Sequence, residues 1–453
     1  MKSRLLRHLR PVAVICLCLA SIHARATDLA AALALAEQSD PAFREAQANA
    51  LAVAEGIPQA KALLWFPQLN FTAGGSHSDQ EITLDFALGA DGQIAFQSYD
   101  YRLNLTQPVY HRDRYVRLEQ ANKRLRQAQA ELDAAHQALI LRVAERYFDV
   151  LAGHDNVAFA RAEKESLAGQ LEQARRRFDV GLIAITDVQE AQAGFDRALA
   201  QEIVAQNALE NAEEALREVT GEYLRELSPL GEEFSLERPD PDDIEKWTET
   251  ALVQNLEIAA AQTATEIAVD EIRAQYAGHF PTLDISGSQG VVSQGGRFGQ
   301  TEVDGGDIGM RINIPLYSGG SVVSKTRQAT QEHAAALERL ERSRRAVQRA
   351  TREAFLGIVS QISSVNALRQ AVVSSRTALD STRAGFEVGT RTTVDVVAAE
   401  RGLSQSRRDY ARARYDYVLN RLRLKQAAGT LAPADLVAAN QWLAPAGAKA
   451  PAQ

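Results

Sequence analysis

Cysteine is almost absent. Its only two copies, Cys16 and Cys18, fall within the first 26 residues of a 453-residue chain. Those residues read as a secretory leader, a signal peptide over 1–26. Lys2, Arg4, Arg7 and Arg10 form a basic head, and "PVAVICLCLASI" follows as an apolar core too short to span a bilayer. Ala24-Arg25-Ala26 then supplies a small-x-small cleavage pattern before Thr27. The exported chain is expected to hold no thiol, which excludes disulfides, thiolate metal sites and cysteine catalysis. Lipid attachment needs a small residue before the modified cysteine, and Ile15 and Leu17 occupy those places, so no lipid anchor is expected.

Other absences narrow the function further. After the leader there is no run of 18 apolar residues, so no transmembrane helix is expected, although membrane strands leave a weaker trace. Positive charge is in deficit: losing five basic residues with the leader takes the net charge from −8 to −13, which argues against nucleic acid as a partner. The eight histidines are scattered without the i, i+4 pairing of a helical zinc site, and no cofactor is expected. No nucleophile, base and acid come together as a catalytic set. "SGGSVVSK" at Ser318 lacks the Gly-Lys-Ser/Thr ending of a phosphate loop and reads as a strand-to-helix turn.

Proline is missing from two long windows, Pro108 to Pro229 and Pro315 to Pro433, both rich in residues that favour helix. What fills these windows is written twice. "RRRFDVGLIAITDVQEAQ" begins at Arg175 and "RAGFEVGTRTTVDVVAAE" at Arg383, 208 positions later. Gly221 and Gly429 keep the same offset, so the chain is internally duplicated. Each half opens with a helical stretch, Leu29 to Leu64 or Ile244 to Ala277, that stops at Phe66-Pro67 or Phe280-Pro281. A Gly/Ser/Thr-rich segment, a Pro-x-Tyr junction at Pro108 or Pro315, and a very long helical run follow. An unbroken helix over His111 to Phe178 would reach about 100 Å, so it needs lateral partners. Val188, Phe195, Leu209 and Leu216 recur at multiples of seven in the closing helix, the seam such packing requires.

These landmarks divide the chain. The first repeat covers 27–221, with a strand hairpin over 68–108, a long helix over 111–178 and a return helix over 182–221. The second covers 250–429, with corresponding spans 282–315, 318–386 and 390–429. Between them lies a Pro- and acid-rich equatorial segment, 222–249. Residues 430–453 form a C-terminal equatorial segment and an Ala/Pro-rich disordered tail.

The Gly-rich segments alternate. Tyr99, Tyr101, Leu103 and Leu105 share one face, as do Ile308, Met310, Ile312 and Ile314, with Arg102, Asn104, Arg311 and Asn313 opposite. Period two with one apolar side is a half-buried strand. Each half carries one hairpin, with polar tips near Gly89 to Gln93 and Gly295 to Gly306. A soluble hairpin packed on a helix gives the same pattern. Lipid is favoured by strands that reach the roughly 9–11 residues a membrane strand needs. Trp65, Phe66, Tyr110, Phe280 and Tyr317 also cluster at the strand–helix junctions, where an interfacial belt would lie. Two hairpins supply four strands, whereas a closed barrel needs about eight or more. Open edges cannot sit in hydrocarbon, so several chains must share one barrel.

The duplicated Phe-x-Val-Gly motifs, long helices, Phe-Pro and Pro-x-Tyr junctions and unlipidated leader together resemble the TolC family of outer-membrane channels over about Asp28 to Asn440. The resemblance implies a mostly α fold with a membrane β-barrel portion. Three chains would pool four strands each into a 12-stranded barrel above a long-helix α-barrel that projects into the periplasm. It implies an outer-membrane location in a Gram-negative bacterium, outer-membrane lipid around the barrel, and a homotrimer. The expected partners are a periplasmic adaptor protein and an inner-membrane drug pump or ABC exporter. The two quoted motifs would be hairpin tips at the periplasmic mouth, with Phe178, Val180, Gly181, Leu182, Val388, Gly389 and Thr390 in the adaptor-docking turns. The resemblance assigns Thr186, Asp187, Phe386, Arg391 and Asp395 to the gate and constriction. Thr186-Asp187-Val188-Gln189 reads as a capping box opening the return helix. Asp395 near a helix start equally fits plain stabilisation of the helix dipole. Two positions depart from the family pattern: Phe386 replaces a tyrosine and Ala398 a second aspartate, which implies a looser closed mouth and weaker cation binding.

The expected function is a passive exit duct for efflux or type I protein secretion, without enzymatic activity. The alternative is a periplasmic coiled-coil adaptor, which also carries long helical hairpins and β segments.

Overall fold

A computed structural model describes residues 27–82, 92–224, 226–231, 235–296 and 299–443. The leader with Cys16 and Cys18, most of the first hairpin tip and the tail beyond 443 lie outside the described residues.

Three short helices open the first half: α1 (Leu29–Ser39), α2 (Pro41–Ala54) and α3 (Gly56–Trp65). The sequence reads as one helical stretch here. Asp40 breaks it, because its carboxylate accepts from the Phe43 amide at 2.8 Å and Pro41 sits at the first helical position. Strands β1 (Gln68–Ile82) and β2 (Gly92–Tyr110) follow, then α4 (Arg112–Asp179), a single helix of 68 residues, and α5 (Ile185–Thr220). The second half runs α6 (Ile244–Gln254), α7 (Leu256–Tyr276), β3 (Thr282–Gly296), β4 (Gly299–Asn313), α8 (Ser321–Glu387) and α9 (Thr393–Ala427). Helix α10 (Pro433–Asn440) closes the described chain. No helix among the described residues is long and apolar enough to cross a membrane.

The four strands make one antiparallel sheet in the order β1-β2-β3-β4. They are 15 to 19 residues long, well beyond what a bilayer requires. The β3–β4 ladder continues to Gly296↔Gly299, so Gly299 to Gly306 is paired strand and not hairpin tip. Register puts Phe71 beside Leu103, Leu105 beside Gly287, and Ile285 beside Met310, all on one face. Thr72, Arg102, Ser288, Asp307 and Arg311 fall on the other. On β4 the first face is apolar at Ile308, Met310 and Ile312 and turns acidic at Asp304 and Glu302. The apolar band therefore covers only part of each strand.

Below the sheet the helices pack side by side as one layer. Near the sheet, α3 packs on α4, α4 on α7 and α7 on α8; farther away, α5 packs on α4, α4 on α9 and α9 on α8. Helix α7 stands end to end on α9. Asn255 makes the splice: its Oδ1 accepts from the amides of Glu257 (2.9 Å) and Ile258 (3.2 Å), and its Nδ2 donates to Ala427 O (3.0 Å). Outside the layer, α1 and α10 cover the largest apolar core, which includes Leu29, Tyr147, Phe148, Tyr417, Leu419 and Leu436. The heptad seam of α5 has its gap at Glu202, which Lys164 (2.6 Å) and Arg161 (3.3 Å) hold from α4.

Among the described residues two flanks stay open, apart from α1 on α5 and α6 on α8 near the middle of the layer. On one side are β1, α3 and α5; on the other are β4 and α8. Both carry exposed apolar side chains: Leu69, Phe71, Leu63, Ile203 and Val204 on the first, Ile308, Met310, Leu356 and Val373 on the second.

Asn255→Ala removes a cap and the α7–α9 splice, and is expected to cost about 1–2 kcal/mol in thermal unfolding of the purified protein. Unchanged stability would count against the splice.

Candidate functional site

At the end of α4 the helix stops in a Schellman turn. Gly181 has φ 74°, its amide donates to Phe178 O at 2.8 Å, and the Leu182 amide donates to Arg177 O at 2.9 Å. The end of α8 repeats the pattern: Gly389 has φ 79°, its amide donates to Phe386 O, and the Thr390 amide to Gly385 O. Left-handed φ explains glycine at both positions, since no neighbour lies where a Cβ would project. Val180, Leu182 and Val388 are exposed at 69–76%. Three apolar side chains thus point into solvent at the two tips.

The return helices start differently. Helix α9 opens with a full capping box: the Thr392 hydroxyl accepts from the Asp395 amide, and Asp395 Oδ2 accepts from the Thr392 amide and hydroxyl, both at 2.9 Å. Helix α5 has half of one. Asp187 Oδ2 accepts from the Ala184 amide at 3.3 Å, but Ala184 has no side-chain acceptor to return. This corrects the sequence expectation of a box beginning at Thr186. The cap lies two residues earlier because Ala184 is already extended (φ −80°, ψ 156°), which leaves Thr186 inside the first turn and exposed.

Asp395 is half-buried. Its carboxyl is held below the ordinary range, first by the Thr392 amide, then by the Thr392 hydroxyl, with Arg391 adding its charge. Such a group contributes stability above its unfolded pKa and loses it as pH falls through the depressed folded value. Arg391 lies across Gly385, where an added Cβ would come within 2.8 Å of its Cγ. Within one chain Arg391 makes no hydrogen bond to Thr186 or Asp187.

Two contacts escaped the sequence reading. Phe386 has no hydroxyl to offer, but the Arg177 guanidinium lies over its ring at 4.8 Å from the centroid and joins the two hairpins. Higher up, Glu400 is 5% exposed. Its Oε1 accepts from Ser166 (2.6 Å) and Gln170 (3.3 Å) on α4 and pairs with Arg383 on α8. One carboxylate thus ties three helices. An apolar contact of Leu167, Ala198 and Val397 lies alongside, and Gly194 admits Val397 closely. The signal was available: Glu400 interrupts the stripe Val396, Leu403, and an acid on an apolar stripe needs partners.

At the opposite end the Trp65 ring meets Tyr115 edge-on at 5.7 Å, and Tyr110 lies 6.5 Å from Tyr115. Phe280 packs on Tyr276 at 6.1 Å. Phe66 is 62% exposed and Tyr317 88%. The structure gathers Trp65 and Tyr110 through Tyr115, which the sequence reading did not include, and leaves Tyr317 alone beside Leu316.

Comparison with known proteins supplies the frame. The family model described as "outer membrane efflux protein" matches residues 32–222 and 247–430. Outer membrane protein TolC of Vibrio cholerae is 38% identical over 414 residues, covering 90% of this chain and 92% of that protein. Alkaline protease secretion protein AprF of Pseudomonas aeruginosa is 31% identical over 418 residues, 90% of this chain and 85% of that protein. The crystal structure of the Campylobacter jejuni CmeC outer membrane channel aligns with TM-score 0.74 over 92% of this chain and 90% of that one, at 16% identity.

Glu400→Ala strips the acceptor from Arg383, Ser166 and Gln170. It is expected to cost about 1–3 kcal/mol in denaturant unfolding, at the low end because Arg383 is partly solvated. Single-channel conductance should rise as the hairpins separate. If stability and conductance both stay at wild-type values, Glu400 is no tie.

Proposed function

The chain belongs to the outer membrane efflux protein family, and on that premise we propose how it works as an outer-membrane exit duct serving efflux or type I secretion. The observation that carries the reading is the pair of open flanks. A four-stranded sheet with a lipid-type apolar face cannot leave β1 and β4 unpaired in hydrocarbon. The same two sides are open in the helical layer, so one rotation about one axis pairs both. Identical copies then close as a ring. Two copies would give the smallest barrel, lined only by side chains; three give 12 strands and room for a conduit.

In this reading the tunnel has no energy source. A periplasmic adaptor docks on the exposed tips around Val180, Leu182, Val388, Gly389 and Thr390, with Phe178 and Gly181 shaping the first turn. An inner-membrane pump or ABC exporter supplies the work. Asp395 from each copy converges on the constriction, where carboxylates attract cations and resist anions. Arg391 reaches Thr186 and Asp187 of the neighbouring hairpin, a link made only in the assembled ring. Arg177 on Phe386 takes the place of the missing hydroxyl link, which argues for a mouth tighter than Phe386 alone implies. The coiled-coil adaptor reading is disfavoured, because an adaptor has no use for a sheet that is apolar on its outer face and unpaired at both edges.

Four measurements test these assignments. Extracts of outer membrane should contain trimers that dissociate only on heating; monomers in the soluble fraction would refute the duct. In planar bilayers, Asp395→Ala should abolish block by multivalent cations, and unchanged block would remove Asp395 from the pore lining. Arg391→Ser should raise conductance, and no rise would count against the link. In Thr392→Val the loss of block on acidification should start at higher pH than in wild type, because the donor hydroxyl that depresses the Asp395 pKa is gone; superimposable pH profiles would contradict this.

A further inference from the structure

We propose that a collar of unpaired cations at the aromatic belt, Lys61, Arg112 and Arg327, holds the phosphate headgroups of anionic phospholipids in the periplasmic leaflet. The proposal rests on the outer-membrane reading above and adds a ligand class and a site to it.

Lys61 lies one turn before Trp65 on α3, and Arg112 one turn before Tyr115 on α4. The Trp65 ring packs on Tyr115 at 5.7 Å, so the two cations flank one continuous aromatic surface. Both are exposed. On α8, Arg327 is one turn from Val323, which is 43% exposed, and it follows the fully open Leu316 and Tyr317. All three lie within about two helical turns of the strand junctions, roughly 10 Å. That is the depth at which a long basic side chain reaches headgroup phosphates while its stem covers apolar surface.

Charge pairing leaves these three open, and Lys325, exposed and half a turn nearer the junction on α8, has no acidic partner either. Among the described residues none has an acidic partner. Their basic and acidic neighbours are engaged: Arg114 donates to Leu63 O at 2.5 Å, Asp113 faces Arg117 at 3.9 Å, and Asp284 bonds His111 at 2.8 Å. Glu119 lies two turns farther from the membrane, about 10 Å below Arg112. Unpaired positive charge is therefore present at the level where lipid phosphate is the available counter-charge. Ring closure sharpens the site. The α3 flank of one copy meets the α8 flank of the next, which brings Lys61 and Arg112 toward Arg327 of the neighbouring subunit and makes one composite pocket per interface.

The test is lipid competition by native mass spectrometry of the purified full-length protein. It is released from micelles containing equal amounts of phosphatidylglycerol and phosphatidylethanolamine. About fivefold per cation is the scale of attraction to an anionic surface, so wild type should retain phosphatidylglycerol at least about tenfold over phosphatidylethanolamine. K61Q/R112Q/R327Q should bring the ratio near one, and the charge-keeping K61R/R112K/R327K should restore it. If the triple glutamine variant fails to assemble, each single glutamine variant should still lower the ratio severalfold. Equal retention by wild type, or an undiminished preference in the glutamine variants, overturns the proposal while leaving the duct intact. Failure to recover wild type from outer membrane would sink the duct reading itself.

Discussion

A backbone amide or carbonyl without a partner costs several kcal/mol in hydrocarbon, and this chain has two rows of them. The outer edges of β1 and β4 bound a sheet whose one face is set for lipid. Nothing among the described residues covers them. Every large feature of the molecule is consistent with that debt being met by identical copies. The flanks of the helical layer are open on the same two sides, and duplication gives the two halves the same order of elements. Alanine-rich seams let long helices approach neighbours without bulky side chains forcing them apart. The tunnel is thereby built from the same closure as the barrel.

The second constraint lies at the far end. Helices near 68 residues are stiff but not self-supporting, so the hairpins need ties close to the tips. Apolar seams supply most of the packing: Leu171, Ala174 and Ala191 within the first hairpin, Leu379, Val396 and Leu403 within the second. Between hairpins the α4–α9 seam is apolar around Tyr147, Phe148, Tyr415 and Leu419, and toward the tips its ties are largely polar beside the contact of Leu167, Ala198 and Val397. Glu145, Asp149 and Glu163 on α4 meet Arg423, Arg412 and Arg408 on α9, and nearer the tips the acid is on α9, where Glu400 accepts from Ser166 and Gln170 of α4. Ion pairs with one solvated partner are individually weak. The part of the seam nearest the tips, where they predominate, separates at modest cost, whereas the apolar seams inside each hairpin do not. On the proposed reading, that difference is what a mouth that opens requires.

Much of this was legible in the residues. The repeated motif fixed both tips, because Schellman turns demand glycine at 181 and 389. Proline-free windows marked the long helices, and period-two patterns around Tyr101 and Met310 marked strands. The breaks at Asp40 and Asn255 were less visible, since polar caps in the middle of helix-favouring sequence carry no proline or glycine beyond Pro41. The extent of β4 was missed because Gly299 to Gly306 looks like loop, yet its register pairs it throughout. Contacts that depend on two distant segments, Arg177 on Phe386 and Ser166 on Glu400, leave no local trace; only an acid on an apolar stripe hinted at the second.

The central claim is that β1 and β4 are paired in the membrane by strands of other copies. Amide hydrogen exchange along the four strands of the detergent-solubilised protein tests it most directly. Shared closure requires that outward-pointing amides of β1 and β4 within the apolar band exchange as slowly as those of the central strands β2 and β3. Rapid exchange confined to the two edges, with β2 and β3 still protected, would show an open sheet and contradict the account.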